Sequence, residues 1–277
     1  MKKLTTILLL TLFTTVALAQ KKEKIKGSRK VTTELKDISS FSSLLIEDNL
    51  EVHLEKGEIA GIKIEADDNL HDIIVIDANA KGLHVYTNKE ASRYRKLMVK
   101  ITYTSDLKSI ISKNEAEINA IQEIMVDTLD VQSFDNSKIF MNANAKYFTL
   151  EADDKSKIEL NLKAMKTKIV LSKDSSLKSL LSSTDLTCDL YQKSDAKIEG
   201  DAANATLRLD HNAKLVANKL AVKNMVIKTE SYSEASVSAD TSVIIEASNK
   251  SEIDLYGNGK IDLRKFTDEA KLLKKIK

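Results

Sequence analysis

The sequence predicts an all-β chain wound as a single-stranded parallel solenoid, with coils of about 19 residues in its C-terminal half. Three observations predict it. A polar corner followed by a β-branched or leucine residue recurs from Asn114 to Tyr256, and a second apolar pair falls about midway between successive corners. Within each half-coil, apolar and polar side chains alternate, as in Leu129-Asp130-Val131-Gln132 and Ile158-Glu159-Leu160-Asn161, which gives each strand one dry face and one wet face.

The corners read Asn114-Glu115-Ala116-Glu117-Ile118, Asp135-Asn136-Ser137-Lys138-Ile139, Asp154-Lys155-Ser156-Lys157-Ile158 and Lys173-Asp174-Ser175-Ser176-Leu177. They continue as Ser194-Asp195-Ala196-Lys197-Ile198, His211-Asn212-Ala213-Lys214-Leu215, Ser233-Glu234-Ala235-Ser236-Val237 and Asn249-Lys250-Ser251-Glu252-Ile253. The last residue of each phrase is the expected core anchor. Between them lie Leu129/Val131, Phe148/Leu150, Ile169/Leu171, Leu186/Cys188, Leu207/Leu209, Val226/Ile227 and Val243/Ile245. One such unit cannot bury its apolar face alone; stacked units place like residues on like and pair their backbones between coils.

In chain order, Met1-Lys2-Lys3, the apolar run Leu4 to Leu18 and the small-x-small Ala17-Leu18-Ala19 predict a signal peptide over residues 1–19. The run is too short and wrongly flanked for a membrane span. The only cysteine is Cys188, which leaves no thiol for a lipid anchor at the cleavage point and no intramolecular disulfide. Cys188 is expected as a small buried apolar residue. Residues 20–30, with Lys21, Lys22, Lys24, Lys26, Arg29 and Lys30, read as a solvated basic tether. Residues 31–110 are β but irregular, with strands at Leu44-Leu45-Ile46, Val52-His53-Leu54, Ile62-Lys63-Ile64, Ile73 to Ile76, Leu83-His84-Val85 and Leu97 to Tyr103. Either a small antiparallel sheet or widened first coils fits them. The regular repeats fill residues 111–259, and residues 260–277 are expected to cap the open end with a short helix N-capped by Thr267, with Leu272, Leu273 and Ile276 on one side.

Phe41-Ser42-Ser43-Leu44-Leu45-Ile46, Leu50-Glu51-Val52-His53-Leu54, Ile62-Lys63-Ile64-Glu65-Ala66-Asp67-Asp68-Asn69-Leu70 and Lys81-Gly82-Leu83-His84-Val85 closely resemble the start of the head GIN domain family. These are exported bacterial proteins described as auto-transporter adhesins, and the resemblance runs from about Val31 to Gly259. It implies a right-handed parallel β-helix, shaped like a pectin lyase but without that enzyme's catalytic residues, and a role in adhesion. The corners depart from the family's Gly-Ser-Gly pattern: Asp-Asn-Ser, Asp-Lys-Ser or His-Asn-Ala stands there, in a chain with seven glycines and no proline. Asn and Asp tolerate the left-handed backbone best after glycine. Glu117-Ile118-Asn119 is the nearest approach to the Gly-Ile-Asn signature.

The chemistry-bearing residues do not assemble into a catalytic or metal-binding set. His53, His71, His84 and His211 have no partner at ligand spacing, the sequence has no Gly-x-Ser-x-Gly elbow, and the serines sit in corners. Asp135, Asp154, Asp174, Asp195 and Asp210 recur about once per coil and raise the possibility of a calcium ladder. Lys138, Lys155, Lys157, Lys173, Lys197 and Lys214 share those corners, so a mixed-charge edge is the stronger reading. Tyr86, Arg93, Tyr94, Arg95 and Tyr103 form the one aromatic and basic gathering, a candidate glycan or protein patch, with ordinary packing as its alternative.

The chain carries 43 basic and 41 acidic side chains; loss of Lys2 and Lys3 with the signal leaves 41 against 41, a balance that argues against nucleic acid. The reading is therefore an exported, non-enzymatic β-helix of the periplasm or cell surface, with no catalytic, cofactor or metal residues. It is expected to present its faces to an envelope glycan or protein. The alternatives are a polysaccharide-active enzyme, for which aromatic sugar platforms are scarce in a chain without Trp, and a purely structural envelope protein.

Overall fold

A computed structural model describes residues 22–79 and 82–276. The expected signal peptide lies outside those residues. In chain order the strands are β1 (Lys24–Lys26), β2 (Val31–Asp37), β3 (Ser43–Ile46), β4 (Glu51–Lys56), β5 (Gly61–Asp67), β6 (Ile74–Asn79), β7 (Gly82–Thr87), β8 (Glu90–Ser92), β9 (Leu97–Tyr103) and β10 (Ser109–Ser112). They continue as β11 (Glu117–Ser133), β12 (Lys138–Ala152), β13 (Lys157–Leu171), β14 (Ser176–Leu190), β15 (Asp195–Leu209), β16 (Lys214–Thr229), β17 (Glu234–Ala247), β18 (Glu252–Tyr256), β19 (Lys260–Phe266) and β20 (Lys271–Lys274). The result is an all-β solenoid of about nine turns with coils near 19 residues.

From β10 onward each coil pairs in parallel with the next, in register except at bulges in β11 and in β15–β19, so that Ile139 lies over Ile158 and Ile158 over Leu177. One interior column runs Val52, Ile118, Ile139, Ile158, Leu177, Ala196, Leu215, Ala235, Ile253 and Leu272. The facing column runs Leu83, Leu44, Ile110, Val131, Leu150, Ile169, Cys188, Leu207, Ile227, Ile245 and Leu263. Below the open end both columns are essentially dry, and each large aliphatic contributes about 1.5–3 kcal/mol by leaving water.

Two anchors differ from the expected phase. Ile198 and Val237 sit one inward position further on, opposite Ser179 and Ala217, while Ala196 and Ala235 hold the anchor column. The small alanines fit there because large Leu177 and Leu215 occupy neighbouring layers. Val226, expected inside, points outward at 41% exposure, and Met225 takes its place in the core.

The corners explain how the chain turns without glycine. Consecutive left-handed residues occur at Asn114/Glu115, Asp135/Asn136, Asp154/Lys155, Lys173/Asp174, Gln192/Lys193, His211/Asn212, Ser231/Tyr232 and Asn249/Lys250, all with φ between 47° and 65°. Each such residue costs roughly 1 kcal/mol or more. A backbone ladder offsets the strain: the second left-handed N–H donates to the first left-handed carbonyl of the next coil, as in Asn136 N to Asp154 O at 2.8 Å and Lys193 N to His211 O at 2.9 Å. Inside the corner a buried serine adds a second link: Ser137, Ser156, Ser175, Ser233 and Ser251 donate their hydroxyls to Ser112, Ser133, Ala152, Leu209 and Thr229 carbonyls of the preceding coil, at 2.8–3.2 Å.

The corner motif also extends beyond both limits read from the sequence. Asp48/Asn49 and Asp268/Glu269 are left-handed pairs of the same kind. The expected C-terminal helix is absent for this reason: Thr267 to Leu272 repeats the corner phrase, the chain turns, and β20 pairs with β18 so that Leu272 lies on Ile253. The last coil is therefore bare, with Leu263, Phe266 and Ile276 exposed. Lys274 takes an inward register position opposite Leu255 and reaches the Gly257 carbonyl, and an inward charge of this kind discourages edge pairing.

At the other end, both alternatives offered for residues 31–110 are realised together. β7 and β9 form an extra coil stacked on β3 and β4 in parallel, and antiparallel β6 and β5–β2 close over β7 and β9. The basic segment is not a free tether from Lys22 onward: β1 pairs with β8, and Lys22 Nζ reaches Asp48 at 2.5 Å and the Thr87 carbonyl at 2.6 Å.

Candidate binding groove

The sites named from the sequence come apart in three dimensions. Asp135 and Asp154 share a column, but Lys173 stands next in it; Asp174, Asp195 and Asp210 belong to three other columns. Lys173 Nζ lies 2.8 Å from Asp153 and 3.4 Å from Asp154, a corner where burial and the neighbouring carboxylate raise the Asp153 pKa while its hydrogen bond to Asp153 lowers that of Asp154. Among the described residues no three His, Cys, Asp or Glu side chains converge as metal ligands. The aromatic patch also dissolves. Tyr103 is buried, Tyr94 packs half-buried against the core, and Tyr86 stacks on His84; burial raises the phenol pKa of Tyr94 and Tyr103. Each histidine meets a carboxylate: His53 with Glu51, His71 with Glu34, His84 with Glu47 and His211 with Asp210, at 2.7–3.4 Å.

The surface feature that the fold does build lies on β11–β15. Here outward register positions carry aliphatic side chains: Ile121 (68% exposed), Met125, Met165 and Leu180 (59%). Asn142, Asn161, Leu180 and Glu199 stand one per coil in register, and the amides link vertically, Asn161 Nδ2 donating to Asn142 Oδ1 at 2.7 Å and Asn142 Nδ2 to the Ile121 carbonyl at 2.5 Å. These amide bonds hold the column rigid and leave the flanking aliphatics without cover.

The strands are irregular on either side of this strip. β11 bulges at residues 121–123 against β12, and β16 bulges at 218–220 against β17. The first bulge lifts Ile121 and Glu123 beside a depression of about 500 Å³, floored by Ala143, Leu162, Leu181 and Gly200. Gly200 has φ of +120°, and a Cβ there would run into the Leu181 carbonyl, so the floor requires glycine. Around the bend a second depression of about 550 Å³ is lined by Met125, Asn144, Lys146, Lys163 and Met165. The two meet at Lys163 and Ser182 and form a groove spanning five coils, roughly 19 Å along the axis at the usual strand spacing.

Several polar side chains of the groove and its rim are paired. Lys163, Ser182 and Asp201 share a column, in which the exposed Ser182 Oγ donates to Asp201 at 3.2 Å. At the rim Lys146 pairs with Asp127 at 2.9 Å, which holds its ammonium pKa up, and Lys197 followed by Lys219 holds the Glu199 carboxyl down. Lys163 has no hydrogen-bond or ion-pair partner among the described residues. The sequence did carry a signal for the groove: Leu180-Leu181 places two large apolar residues side by side in an alternating strand, so one of them must face water.

The profile of the family described as "Putative auto-transporter adhesin, head GIN domain" matches residues 40–179 and 161–259, two overlapping stretches that together take in both the extra coil and the regular stack. The chain belongs to the head GIN domain family. Solved structures with the same fold include a "putative adhesin" from Parabacteroides merdae, 17% identical with a TM-score of 0.68 over 91% of this chain and 100% of the other. A "putative adhesin" from Parabacteroides distasonis is 17% identical, with a TM-score of 0.68 over 90% of this chain and 99% of the other. A "putative lipid binding protein" from Parabacteroides distasonis is 14% identical, with a TM-score of 0.63 over 91% and 100%. No curated protein sequence matches the chain. Identities this low speak for the fold of this head GIN domain protein; the groove rests on its own residues.

Proposed function

We propose that this head GIN domain protein is an exported, non-enzymatic binding module that holds an extended protein segment in the groove on β11–β15. The observation that carries the reading is the set of outward-facing aliphatics, Ile121, Met125, Met165 and Leu180, on a rigid face whose amides leave them uncovered. Isolated exposed apolar residues are ordinary, but four gathered in two adjoining depressions support a binding surface. The site has no aromatic platform like those that sugar-binding clefts use to stack on rings, so a polypeptide fits better than a glycan. In this reading residues 1–19 direct export and are removed, the regular coils of residues 111–259 carry the ligand, and the protein resides in the periplasm or at the cell surface without a lipid anchor.

The test compares wild-type protein with the double variant Leu180→Asp, Met165→Asp, both at outward positions. Each is immobilised and exposed to the detergent-solubilised envelope fraction of the producing cells, and retained proteins are quantified by mass spectrometry. The reading expects polypeptides held by the wild type and depleted at least tenfold on the variant, with equal thermal midpoints for the two proteins. Identical retention on both, or release of new reducing ends from polysaccharides by the wild type, would overturn it.

A further inference from the structure

A second constellation lies at the N-terminal cap, away from the groove, and starts from a buried carboxylate. Asp67, fully buried at the end of β5, accepts backbone hydrogen bonds from Arg29 N at 2.7 Å, Arg95 N at 3.1 Å and Lys96 N at 3.1 Å. Its own N–H donates to the Lys96 carbonyl at 3.1 Å. One carboxylate therefore ties together two Arg-Lys dipeptides, Arg29-Lys30 and Arg95-Lys96, that are far apart in sequence. The tie needs close approach: Gly27 sits where a Cβ would strike the Asp67 carboxylate and the Tyr94 backbone, and Arg29 is held at φ of 68°.

The four basic side chains line a single open pocket of about 630 Å³ with Val31 and Glu65. Neither guanidinium has an ion-pair or hydrogen-bond partner among the described residues, and Lys96 has none either; Lys30 lies 3.6 Å from Asp68. The one acid in the pocket, Glu65, is already engaged by Lys63 at 2.6 Å, which holds its carboxyl below the usual range. Several lysines elsewhere on this protein pair with an acid on a neighbouring coil, as in Lys138 with Glu117 and Lys214 with Glu234. What sets Arg29 and Arg95 apart is that one buried carboxylate pins both backbones. Asp67 fixes their backbones, and an exposed guanidinium fork can take two oxygens of one phosphate.

The geometry points to Arg29, Lys30, Arg95 and Lys96 as a binding site for a phosphate monoester dianion, with Asp67 positioning the two dipeptides. A soluble phosphate ester and a monoester lipid headgroup present the same chemistry. The test uses the mature full-length protein at fixed ionic strength. Inorganic phosphate and phenyl phosphate are titrated calorimetrically; flotation then compares vesicles of phosphatidylcholine alone with vesicles containing phosphatidic acid. Arg29→Gln, Arg95→Gln is compared with Lys157→Gln, Lys168→Gln, which removes equal charge from exposed positions on the regular coils.

Saturable binding, weakened at least tenfold by the arginine pair and less than twofold by the lysine pair, is expected. Binding of the soluble esters without vesicle flotation assigns a soluble ligand, and arginine-dependent flotation with phosphatidic acid assigns the headgroup. Equal loss in both double variants, or no saturable binding to any probe, overturns the site. Groove substitutions at Leu180 and Met165 are expected to leave phosphate binding unchanged, so the two sites stand or fall separately.

Discussion

Replacing Ile158 by Asp tests the solenoid at its centre. Ile158 is 2% exposed and lies between Ile139 and Leu177 in the interior column. Losing the buried aliphatic costs about 1.5–3 kcal/mol. A carboxyl in that dry layer is forced to hold its proton at neutral pH, and three pH units above its ordinary pKa cost about 4 kcal/mol. Its polar atoms find no partners there, which adds about 1–3 kcal/mol. The total rivals the whole stability of a typical domain, so the middle coils should melt. Lys157→Asp, one residue away, faces water beside Lys138 and Ser176 and should change stability by no more than about 0.5 kcal/mol. Urea unfolding followed by far-ultraviolet circular dichroism reads both. The sign with pH is also fixed. The introduced carboxyl has a folded pKa above its unfolded one, so the damage is least below pH 4 and grows as pH rises towards the folded pKa. Similar effects from the two substitutions, or an Ile158→Asp cost below about 1 kcal/mol, would refute the assignment of inside and outside.

Two further outcomes follow from the interior. Ser194 is a buried corner serine whose hydroxyl lacks a partner, and Ala213 fills the equivalent place one coil on; Ser194→Ala should therefore raise stability by about 1 kcal/mol, whereas Ser156→Ala, which loses bonds to Ser133 O and Asp153 O, should lower it by about as much. Equal shifts in the same direction would contradict the serine ladder. Cys188 lies in the facing core column, and burial pushes its thiol up to about 12. It should resist thiol reagents until the protein unfolds. Because the unfolded thiol ionises from about pH 8.5 and the folded one does not, stability should fall by about 1.4 kcal/mol per pH unit between there and about pH 10, where tyrosines begin to titrate. Cys188→Ala should abolish this slope, and a slope that persists would assign it elsewhere.

The stack was legible because its signal repeats: polar corner, alternating strand, polar corner. It was misphased where the anchor is small. Ala196 and Ala235 offer no large residue to mark the column, and the next large apolar residues, Ile198 and Val237, stand two positions on. The C-terminal helix was a local misreading of Thr267-Asp268-Glu269, whose acids suit a helix N-terminus and a left-handed corner equally; only pairing with β18 decides between them. The groove depends on which of two adjacent leucines, Leu180 or Leu181, faces out, and that follows from register with the neighbouring coils. The basic cluster is half visible in the sequence, since Arg95 belongs to the candidate aromatic and basic patch, but Arg29-Lys30 reaches it through Asp67 and through the pairing of β2 and β9 with β5, contacts that no local pattern announces.

Stability and binding draw on different residues in this architecture, and that separation makes the functional reading testable. Each coil is held by its inward columns and its backbone ladder, and a solenoid's stability is close to a sum over coils and their interfaces. Leu180 and Met165 contribute little to either, because they are more than half exposed. Removing them should leave the fold intact, so a binding loss in that variant cannot be blamed on unfolding. The cap is built the other way. Asp67 is buried and bonded to the backbones of the residues that would hold the ligand, so its loss would disturb fold and site together. The informative substitutions there are the guanidiniums themselves, whose side chains reach solvent while their backbones stay fixed by Asp67.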